Sequence, residues 1–313
     1  MVKQRIRKSI LLRKSFLQLK KIQIALMGEK KWAAKVYKKN TGYDIDLENP
    51  ETLNEKIVWL KVNYFQEHSV QCCDKYLIHG YLKEKLGYDY APKLLYVTRS
   101  PKDLSMNKIR KFPCIIKVSN GSGSNLIVKD RNSYTDTWLK EYFRRQVISS
   151  NLHTVISREH QYFEKNPYIV VEELLQDAHG RIPDDYKFLY INGELQFIYC
   201  SVDRLNANVR QVYDPDWNRL HFIWVRDADK KTYDRYEASR SIPKPENFEE
   251  MLRLSAELAQ DFPLVRIDFY NLDGKLYIGE ITLYHGSGND RFYPEKYDRI
   301  YGEKLKLPKT QRS

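Results

Sequence analysis

The sequence predicts an α+β protein whose sheets are antiparallel. Seven apolar runs of strand length lie between residues 112 and 282. The pairs Asn192-Gly193 and Asp273-Gly274 each stand between two such runs, and this type of pair is the strongest short signal for a β-hairpin. Helical segments do not alternate regularly with the strands, as they would in a parallel doubly wound sheet. We therefore expect antiparallel sheets built from hairpins, with helices packed beside them.

Helical patterns occupy the first part of the chain. Residues 4–40 place apolar side chains on roughly one face among basic residues, which predicts a helix. Asn49, directly before Pro50, is predicted to cap a second helix. A third helix is predicted over residues 74–87, where Gly87 stops it.

The remaining elements follow in order. Two further helices are predicted over 134–147 and 245–260, and residues 201–243 are predicted to form a long loop or lid, because they show no clear period. The predicted strands are 112–118, 124–129, 168–174, 186–191, 194–200, 263–270 and 275–282.

Composition limits the class of protein. With 313 residues, 42% of them apolar and 13% aromatic, the chain is expected to fold into two or three lobes. No apolar run approaches the ~18 residues of a membrane-spanning helix, and the basic N-terminus does not read as a signal peptide. The cysteines lack metal-binding spacing and fit reduced thiols, so a cytoplasmic location is expected. They are Cys72, Cys73, Cys114 and Cys200.

The net charge of +12 belongs to one segment. Residues 1–40 contain thirteen lysines and arginines and one acid, Glu29, whereas residues 41–313 contain forty basic and forty acidic residues. The main body therefore lacks the basic surface expected of a nucleic-acid binder. Two interpretations of residues 1–40 stay open. The segment packs on the body with its lysines in water, or it docks as an amphipathic helix on the anionic inner face of the plasma membrane.

A bare loop follows the first predicted strand. In "FPCIIKVSNGSGSNLIVKD", residues 112–130, Lys117 ends an apolar run and small residues follow it. Main-chain N–H groups of such a loop can converge on phosphate oxygens. The spacing matches neither of the two common phosphate-loop motifs. Taken alone, the pattern favours a plain hairpin. The acids Glu172, Glu173 and Asp185 at strand ends, taken alone, likewise favour a solvent-facing role.

The most specific signal lies around the Asp273-Gly274 turn. Asp268 is five residues before the turn and Glu280 is six after it, so the two carboxylates can sit opposite each other. Arg266 and Thr282 share their face by the period of two. Paired acids in an apolar hairpin repel unless a cation lies between them, and oxygen-only ligands suit Mg²⁺. This pattern predicts a magnesium site.

These motifs together resemble the ATP-grasp enzymes, and within them the branch similar to the teichuronopeptide-biosynthesis protein TupA. The resemblance runs from about Asn54 to about Gly302 and includes "LNEKIVWLK", "DKY", "IIKVSNGSG", "VVEELL", "DDYKF", "KPENFEEML" and "FPLVRIDFY…LYIGEITLYHGSG". It implies two α+β lobes that hold ATP between antiparallel sheets, preceded by a helical N-terminal region. The predicted divisions are a basic helical segment (1–40), a region preceding the lobes (41–110), a small lobe (111–175), a large lobe (176–305) and a tail (306–313).

The resemblance also implies residue roles. Lys75 and Lys117 resemble the lysines that hold the α- and β-phosphates of ATP, and Arg266 resembles the arginine that stabilises charge during the reaction. Lys187 stands where a cation approaches the phosphates, and Asp185 stands where ribose is bound. The phosphate-covering loop is implied at Asn120, Gly121, Ser122, Gly123 and Ser124, the adenine-reading strand at Glu172, Glu173 and Leu174, and the magnesium ligands at Asp268, Glu280 and Thr282.

The chain departs from most ATP-grasp enzymes at the metal, where Glu280-Ile281-Thr282 replaces a Glu-x-Asn sequence. Two Mg²⁺ ions are expected by resemblance. His79, which stands where relatives often have arginine, is given a structural role only.

The implied reaction joins a carboxylate to an amine through an acyl phosphate. The implied substrate is a glycan or lipid-linked glycan that carries a carboxylate, with an amino acid or amino sugar as the second substrate. A glycan kinase on the same fold and a non-enzymatic binding protein stay open as alternatives. Arg204, Arg210 and Trp217 are candidate contacts for an acidic sugar, chosen by residue type.

Overall fold

A computed structural model describes residues 10–121, 123, 125–163, 166–177, 179–202 and 209–309. It shows helices at the N-terminus followed by three antiparallel sheets, of four, six and two strands, the last formed by residues 223–225 and 291–293, which confirms the predicted α+β class. The helices are α1 (Ile10–Met27), α2 (Glu29–Thr41), α3 (Leu53–Asn63), α4 (Ser69–Cys73), α5 (Ile78–Leu86), α6 (Asp136–Ser157), α7 (Lys230–Glu237), α8 (Phe248–Ala259) and α9 (Lys296–Lys304). The strands are β1 (Leu94–Thr98), β2 (Cys114–Val118), β3 (Leu126–Val128), β4 (Ile169–Glu173), β5 (Asp184–Ile191), β6 (Glu194–Val202), β7 (Val209–Tyr213), β8 (Arg219–Leu220), β9 (Ile223–Val225), β10 (Leu264–Leu272), β11 (Lys275–Thr282) and β12 (Arg291–Tyr293).

The predicted N-terminal helix is two helices in the structure. Gly28 separates α1 from α2 with φ of 82° and ψ of 150°, a conformation that essentially only glycine adopts. Both helices pack on α6. Arg13 of α1 donates to the Arg145 carbonyl at 3.3 Å, and the Trp32 ring N–H of α2 donates to the Ile156 carbonyl at 2.9 Å.

The small lobe is a four-stranded sheet in the order β1-β4-β2-β3, with α6 packed against it. The alternation in β2 from buried to half-buried side chains shows that one face of the strand is in the core. The core residues of this lobe include Ile116, Val118, Leu139, Phe143, Ile169 and Val171.

The large lobe is a six-stranded sheet in the order β11-β10-β5-β6-β7-β8. Both predicted hairpin turns are confirmed, because residue 191 pairs with 194 and residue 272 with 275. All four turn residues have positive φ, the geometry of a two-residue type I′ turn. On one face of the sheet, the ring of Phe248 in α8 lies 5.8 Å from the ring of Phe188.

Two further predictions are wrong. Residues 201–243 are not a structureless loop: β7, β8, β9 and α7 lie within them. These elements are two to eight residues long, too short for a periodic pattern to show. The cap of α3 is Thr52 and not Asn49. The Thr52 hydroxyl accepts from the Glu55 N–H at 3.2 Å, and the Glu55 carboxylate accepts from the Thr52 N–H at 2.9 Å. This reciprocal box satisfies two otherwise unpaired backbone groups.

Helix α9 closes the fold by packing on α3. Asp298 accepts hydrogen bonds from both the backbone and the side-chain amide of Asn54, at 2.9 and 2.8 Å. Lys56 donates to the carbonyls of Gly302 and Leu305 at 2.7 and 2.8 Å. These hydrogen bonds attach helix α9 and the residues that follow it to helix α3.

We expect Asp298 to make the free energy of unfolding pH-dependent. Burial raises the pKa of Asp298 to about 6 from an ordinary value of 3.8. The pKa of Asp298 is higher in the folded protein than in the unfolded chain. The contribution of its protonated form to the free energy of unfolding is therefore complete below pH 4 and is lost as the pH rises through 6. The asparagine of Asp298→Asn cannot ionise, so the difference in free energy of unfolding between Asp298→Asn and wild type should shift by about 2 kcal/mol in favour of the variant from pH 4 to pH 7.

Urea unfolding at pH 4, 5.5 and 7 measures this difference. Asp44→Asn, a change at an exposed acid of the same region, is the control. A constant difference between Asp298→Asn and wild type across this range would contradict the prediction.

Candidate active site

The charged residues predicted from the second hairpin lie on adjacent strands of the large lobe. Asp268 on β10 pairs with Glu280 on β11 and with Lys187 on β5, and Arg266 pairs with Thr282. The structure thus brings together the five residues that the sequence assigned to metal binding and catalysis. Their roles stay predictions.

A β-bulge decides that Asp268 faces Glu280. Counting back from the two-residue turn would place Gly279 opposite Asp268. The register shifts between Asp268 and Phe269, so that Phe269 pairs with Ile278 and Asp268 pairs with Glu280. Gly279 is the extra residue, and the bulge turns the next side chain of β11 toward the cluster.

The carboxylate of Asp268 lies at the centre of a buried ion cluster. Lys187 Nζ donates to Asp268 Oδ2 at 2.7 Å and to Asp185 Oδ2 at 2.6 Å. Arg266 donates through Nε to Asp268 Oδ1 at 2.7 Å and through Nη2 to Oδ2 at 2.8 Å. The Asp268 side chain is 2% exposed. This fork-shaped contact fixes the guanidinium plane of Arg266.

Mutual attraction keeps the cluster ionised. Burial opposes the charge on Asp268, but Arg266 and Lys187 outweigh burial and lower its pKa to about 2. Burial also opposes the charge on Lys187, yet Asp268 and Asp185 raise its pKa. The pKa of Arg266 is raised in spite of burial, first by Asp268. The site therefore presents fixed charges at neutral pH.

The sequence did not predict the residues that contact the Arg266 guanidinium on the side away from Asp268. Its Nη1 lies 2.6 Å from Nδ1 of His285, which must accept because a guanidinium only donates. The proton of the neutral ring is then on Nε2, which lies 3.3 Å from Asp290. The Trp224 ring covers the imidazole at a centroid distance of 3.9 Å. The sequence signal that could have predicted this contact is "YHGSG", which places a histidine three residues beyond Thr282, just after β11. We refer to strand β11, which carries Glu280 and Thr282, as the metal strand.

The predicted phosphate lysine Lys117 forms an ion pair in the small lobe. Its Nζ lies 2.6 Å from Glu172 Oε2, and the two side chains are 13% and 5% exposed. They lie on neighbouring strands, where Glu172 pairs with Ile115. Glu172 was assigned only to the strand that reads adenine. The structure adds a side-chain role, because Glu172 holds the Lys117 ammonium in place.

The other predicted phosphate lysine contacts the glycine-rich loop. Lys75 Nζ donates to the Gly121 carbonyl at 2.8 Å, and the Asp74 carboxylate accepts from the Ser119 hydroxyl at 2.5 Å. The loop is also anchored at Asn120, whose side-chain oxygen accepts from the Ser150 hydroxyl of α6 at 2.7 Å. Gly123 has φ of 75°. Ser122 and Ser124, which were assigned to phosphate binding, lie outside the described residues.

A cleft of about 230 Å³ lies between the two lobes. Its small-lobe wall includes the predicted adenine-binding residues, and its large-lobe wall includes Tyr270, which pairs with Asp185 on β5. The residues that line the cleft include Lys117, Glu172, Glu173, Leu174, Pro183 and Tyr270. Partly apolar walls with charged groups at one end suit a flat heterocycle that carries phosphates.

The residues at the ion cluster fit Mg²⁺. Asp268, Glu280 and Thr282 offer hard oxygen donors. Asp268 Oδ2 accepts from two cationic groups and Oδ1 from Arg266 Nε alone, which leaves a lone pair on Oδ1 for a metal ion. Within the described ranges, no group of three or more His, Cys, Asp or Glu is arranged to hold a metal. Water and phosphate oxygens would therefore complete the coordination.

The family assignment follows from the sequence profile of the TupA-like ATPgrasp family, which matches residues 55–306. That range includes every charged residue of the site and most of the chain. The chain belongs to this family. This membership confirms the ATP-grasp fold that the sequence motifs implied.

Solved ATP-grasp ligases are similar to this chain at low identity. D-alanine–D-alanine ligase from Helicobacter pylori is 19% identical with a TM-score of 0.41, covering 82% of this chain and 69% of that one. The corresponding ligase from Bacillus anthracis, complexed with ATP, is 16% identical with a TM-score of 0.39, covering 75% of this chain and 63% of that one. L-amino acid ligase from Bacillus licheniformis is 17% identical with a TM-score of 0.42, covering 78% and 51%. The chain thus spans less than two thirds of the last two. No curated protein matches it.

Gly279→Ala tests the bulge. A Cβ at Gly279 would lie 2.3 Å from Cε2 of Tyr270, so the ring or the strand must move. We expect a loss of about 1–3 kcal/mol of stability and at least ~10-fold weaker Mg²⁺-dependent nucleotide binding, since Glu280 would be displaced. Calorimetric titration and urea unfolding measure the two effects. Gly80→Ala, where a Cβ meets nothing within 4 Å, is the control. Unchanged binding by Gly279→Ala would show that the bulge is not required.

His285→Ala tests the support of Arg266. The guanidinium would lose one of its acceptors while its fork to Asp268 stays. We expect ATP turnover to fall by about 10- to 100-fold with little change in nucleotide affinity. Turnover and equilibrium titration are compared with His221→Ala, a change at an exposed histidine that pairs with Glu237. If the loss of turnover is fully explained by a loss of folded protein, the positioning role is wrong.

Proposed function

We propose that this ATP-grasp enzyme is a carboxylate–amine ligase that forms an amide on a cell-surface polysaccharide or its precursor. The observation that carries the proposal is the fixed arginine Arg266, locked against Asp268 and supported by His285 at the end of the metal strand. An arginine whose orientation is fixed in a buried site can stabilise negative charge as it develops, without first having to reorganise.

The reaction proceeds in two displacements. A carboxylate oxygen of the acceptor attacks the γ-phosphorus of ATP, the bond to the bridging oxygen breaks, and ADP leaves. The amine nitrogen then attacks the acyl carbon, the carbon–oxygen bond to phosphate breaks, and the amine loses a proton to solvent. The products are an amide, ADP and phosphate. No covalent bond to the protein forms, so the residues act by positioning and by charge.

Each cluster of residues has a distinct task. Lys117, held by Glu172, and Lys75, held at the glycine-rich loop, face the α- and β-phosphates. Bound Mg²⁺, two ions by resemblance, supplies positive charge for the phosphate oxygens. Asp268, Glu280 and Thr282 would hold the metal ion, and Lys187 adds a fixed cation beside them.

The acceptor is proposed to be a glycan or lipid-linked glycan with a carboxylate, and the donor an amino acid or amino sugar. This proposal rests on the TupA-like family membership. Of the three candidate sugar contacts, Arg204 lies outside the described residues. Trp217 donates its ring N–H to the Ile242 carbonyl at 3.0 Å and stacks on Tyr213, so it has a structural role. Arg210 lies against the Tyr236 ring, 5.8 Å from its centroid.

Asp268→Asn tests the metal and nucleotide site. Removal of the charge between Lys187 and Arg266 leaves two buried cations without their shared carboxylate. We expect micromolar binding of Mg²⁺ with a non-hydrolysable ATP analogue by wild type and at least ~10-fold weaker binding by the variant. Glu280→Gln, at a 37% exposed position, separates loss of the metal from loss of the fold. Asp261→Asn, at an acid that pairs with Lys85, is the control.

The product distinguishes the ligase from the kinase. ³¹P NMR and mass spectrometry of reactions with carboxylate-bearing glycans and amines should show free phosphate and an amide. A phosphomonoester left on the glycan would contradict ligation and establish the kinase alternative. Binding of nucleotide by neither wild type nor variant would contradict both.

A further inference from the structure

Helix α1 presents an apolar stripe to solvent. Leu11, Leu19, Ile22 and Leu26 are 74%, 63%, 57% and 85% exposed, and Leu12 is 44% exposed. At about 100° per residue these five side chains fall within an arc of about 100° on the helix. Single exposed apolar residues are ordinary, whereas five exposed apolar residues in one arc of a helix indicate a binding surface.

The stripe points away from α6 and from the rest of the described chain. The opposite side of α1 packs on α6, where Ile24 is buried and Arg13 donates to the Ser149 hydroxyl and the Arg145 carbonyl. Helix α1 is therefore already held in place through one face. Its apolar stripe does not contribute to that packing.

The surroundings of the stripe are strongly basic. Residues 10–40 contain nine lysines and arginines against the single acid Glu29, a net charge of +8, whereas residues 41–313 are neutral. Lys14 and Lys21 are exposed and lie beside the stripe on the helix. Among the described residues, no helix is both long enough and apolar enough to cross a bilayer.

We propose that the α1 stripe docks this enzyme on an anionic membrane surface. The helix lies in the plane of the membrane, the five apolar side chains enter the boundary of the acyl chains, and the lysines contact anionic headgroups. A second copy of the chain fits less well, because pairing two α1 helices would bring together two segments of charge +8 each.

The packing of α1 on α6 links this surface to the active site. Ser150 of α6 holds Asn120 of the glycine-rich loop, so docking orients the small lobe relative to the membrane.

Vesicle co-sedimentation of the full chain tests the proposal. Vesicles of phosphatidylcholine alone are compared with vesicles that also contain phosphatidylglycerol, at low and at high salt. We expect wild type to bind the anionic vesicles and to lose binding at high salt. Ile22→Gln with Leu26→Gln should weaken binding at least ~10-fold, because two inserted apolar side chains are lost.

Two further variants complete the test. Phe65→Gln with Ile300→Gln changes two exposed apolar residues elsewhere and should bind as wild type does. Lys14→Gln with Lys21→Gln should reduce binding to anionic vesicles only. Thermal unfolding checks that each variant is folded. Equal binding by wild type and the Ile22/Leu26 variant, equal binding to both vesicle types, or no binding would overturn the proposal. So would a dimer in solution that the Ile22/Leu26 change disperses without any vesicle binding.

Discussion

The carboxylate of Asp268, buried between Lys187 and Arg266, is the interaction on which the active site depends. A buried carboxylate without partners would cost several kcal/mol or take up a proton. Here each charge compensates the others, and the pKa of Asp268 is lowered and not raised. The same contacts fix Arg266 in one orientation. Stability and function therefore place the same demand on β5 and β10: the two strands must stay in this register.

A second buried lysine, Lys61, connects the two lobes through hydrogen bonds to backbone and hydroxyl oxygens. Lys61 of α3 donates to the Ser157 carbonyl at the end of α6, and to the carbonyl and hydroxyl of Ser287 at 2.7 and 2.8 Å. Burial lowers its pKa to about 8. One ammonium thereby ties α3 to the small-lobe helix and to the turn that follows the metal strand. His285 lies in that turn, so the support of Arg266 depends on this joint as well.

Of the two interpretations of the N-terminal segment, packing on the body is observed for helix α1, whereas docking on a membrane stays a proposal. Its first helix packs on α6, as the first interpretation expects, and it leaves an apolar stripe with flanking lysines in solvent. One face is used for folding, and side chains of the opposite face are exposed. Concentration of the whole net charge in this segment gives that exposed face an electrostatic preference that the neutral body lacks.

The sequence alone determined the sheet class and both hairpin turns, because these depend on local signals. Turn residues such as Asp273-Gly274 need positive φ, and the period of two places Arg266 beside Asp268. Only the tertiary structure decided the rest. The bulge at Gly279, the Lys117–Glu172 pair and the His285 support of Arg266 join segments far apart in the chain or shift a register. The break at Gly28 and the elements within 201–243 were missed because their local patterns are short. Which face of α1 is buried depended on the packing of α6, more than a hundred residues later in the chain.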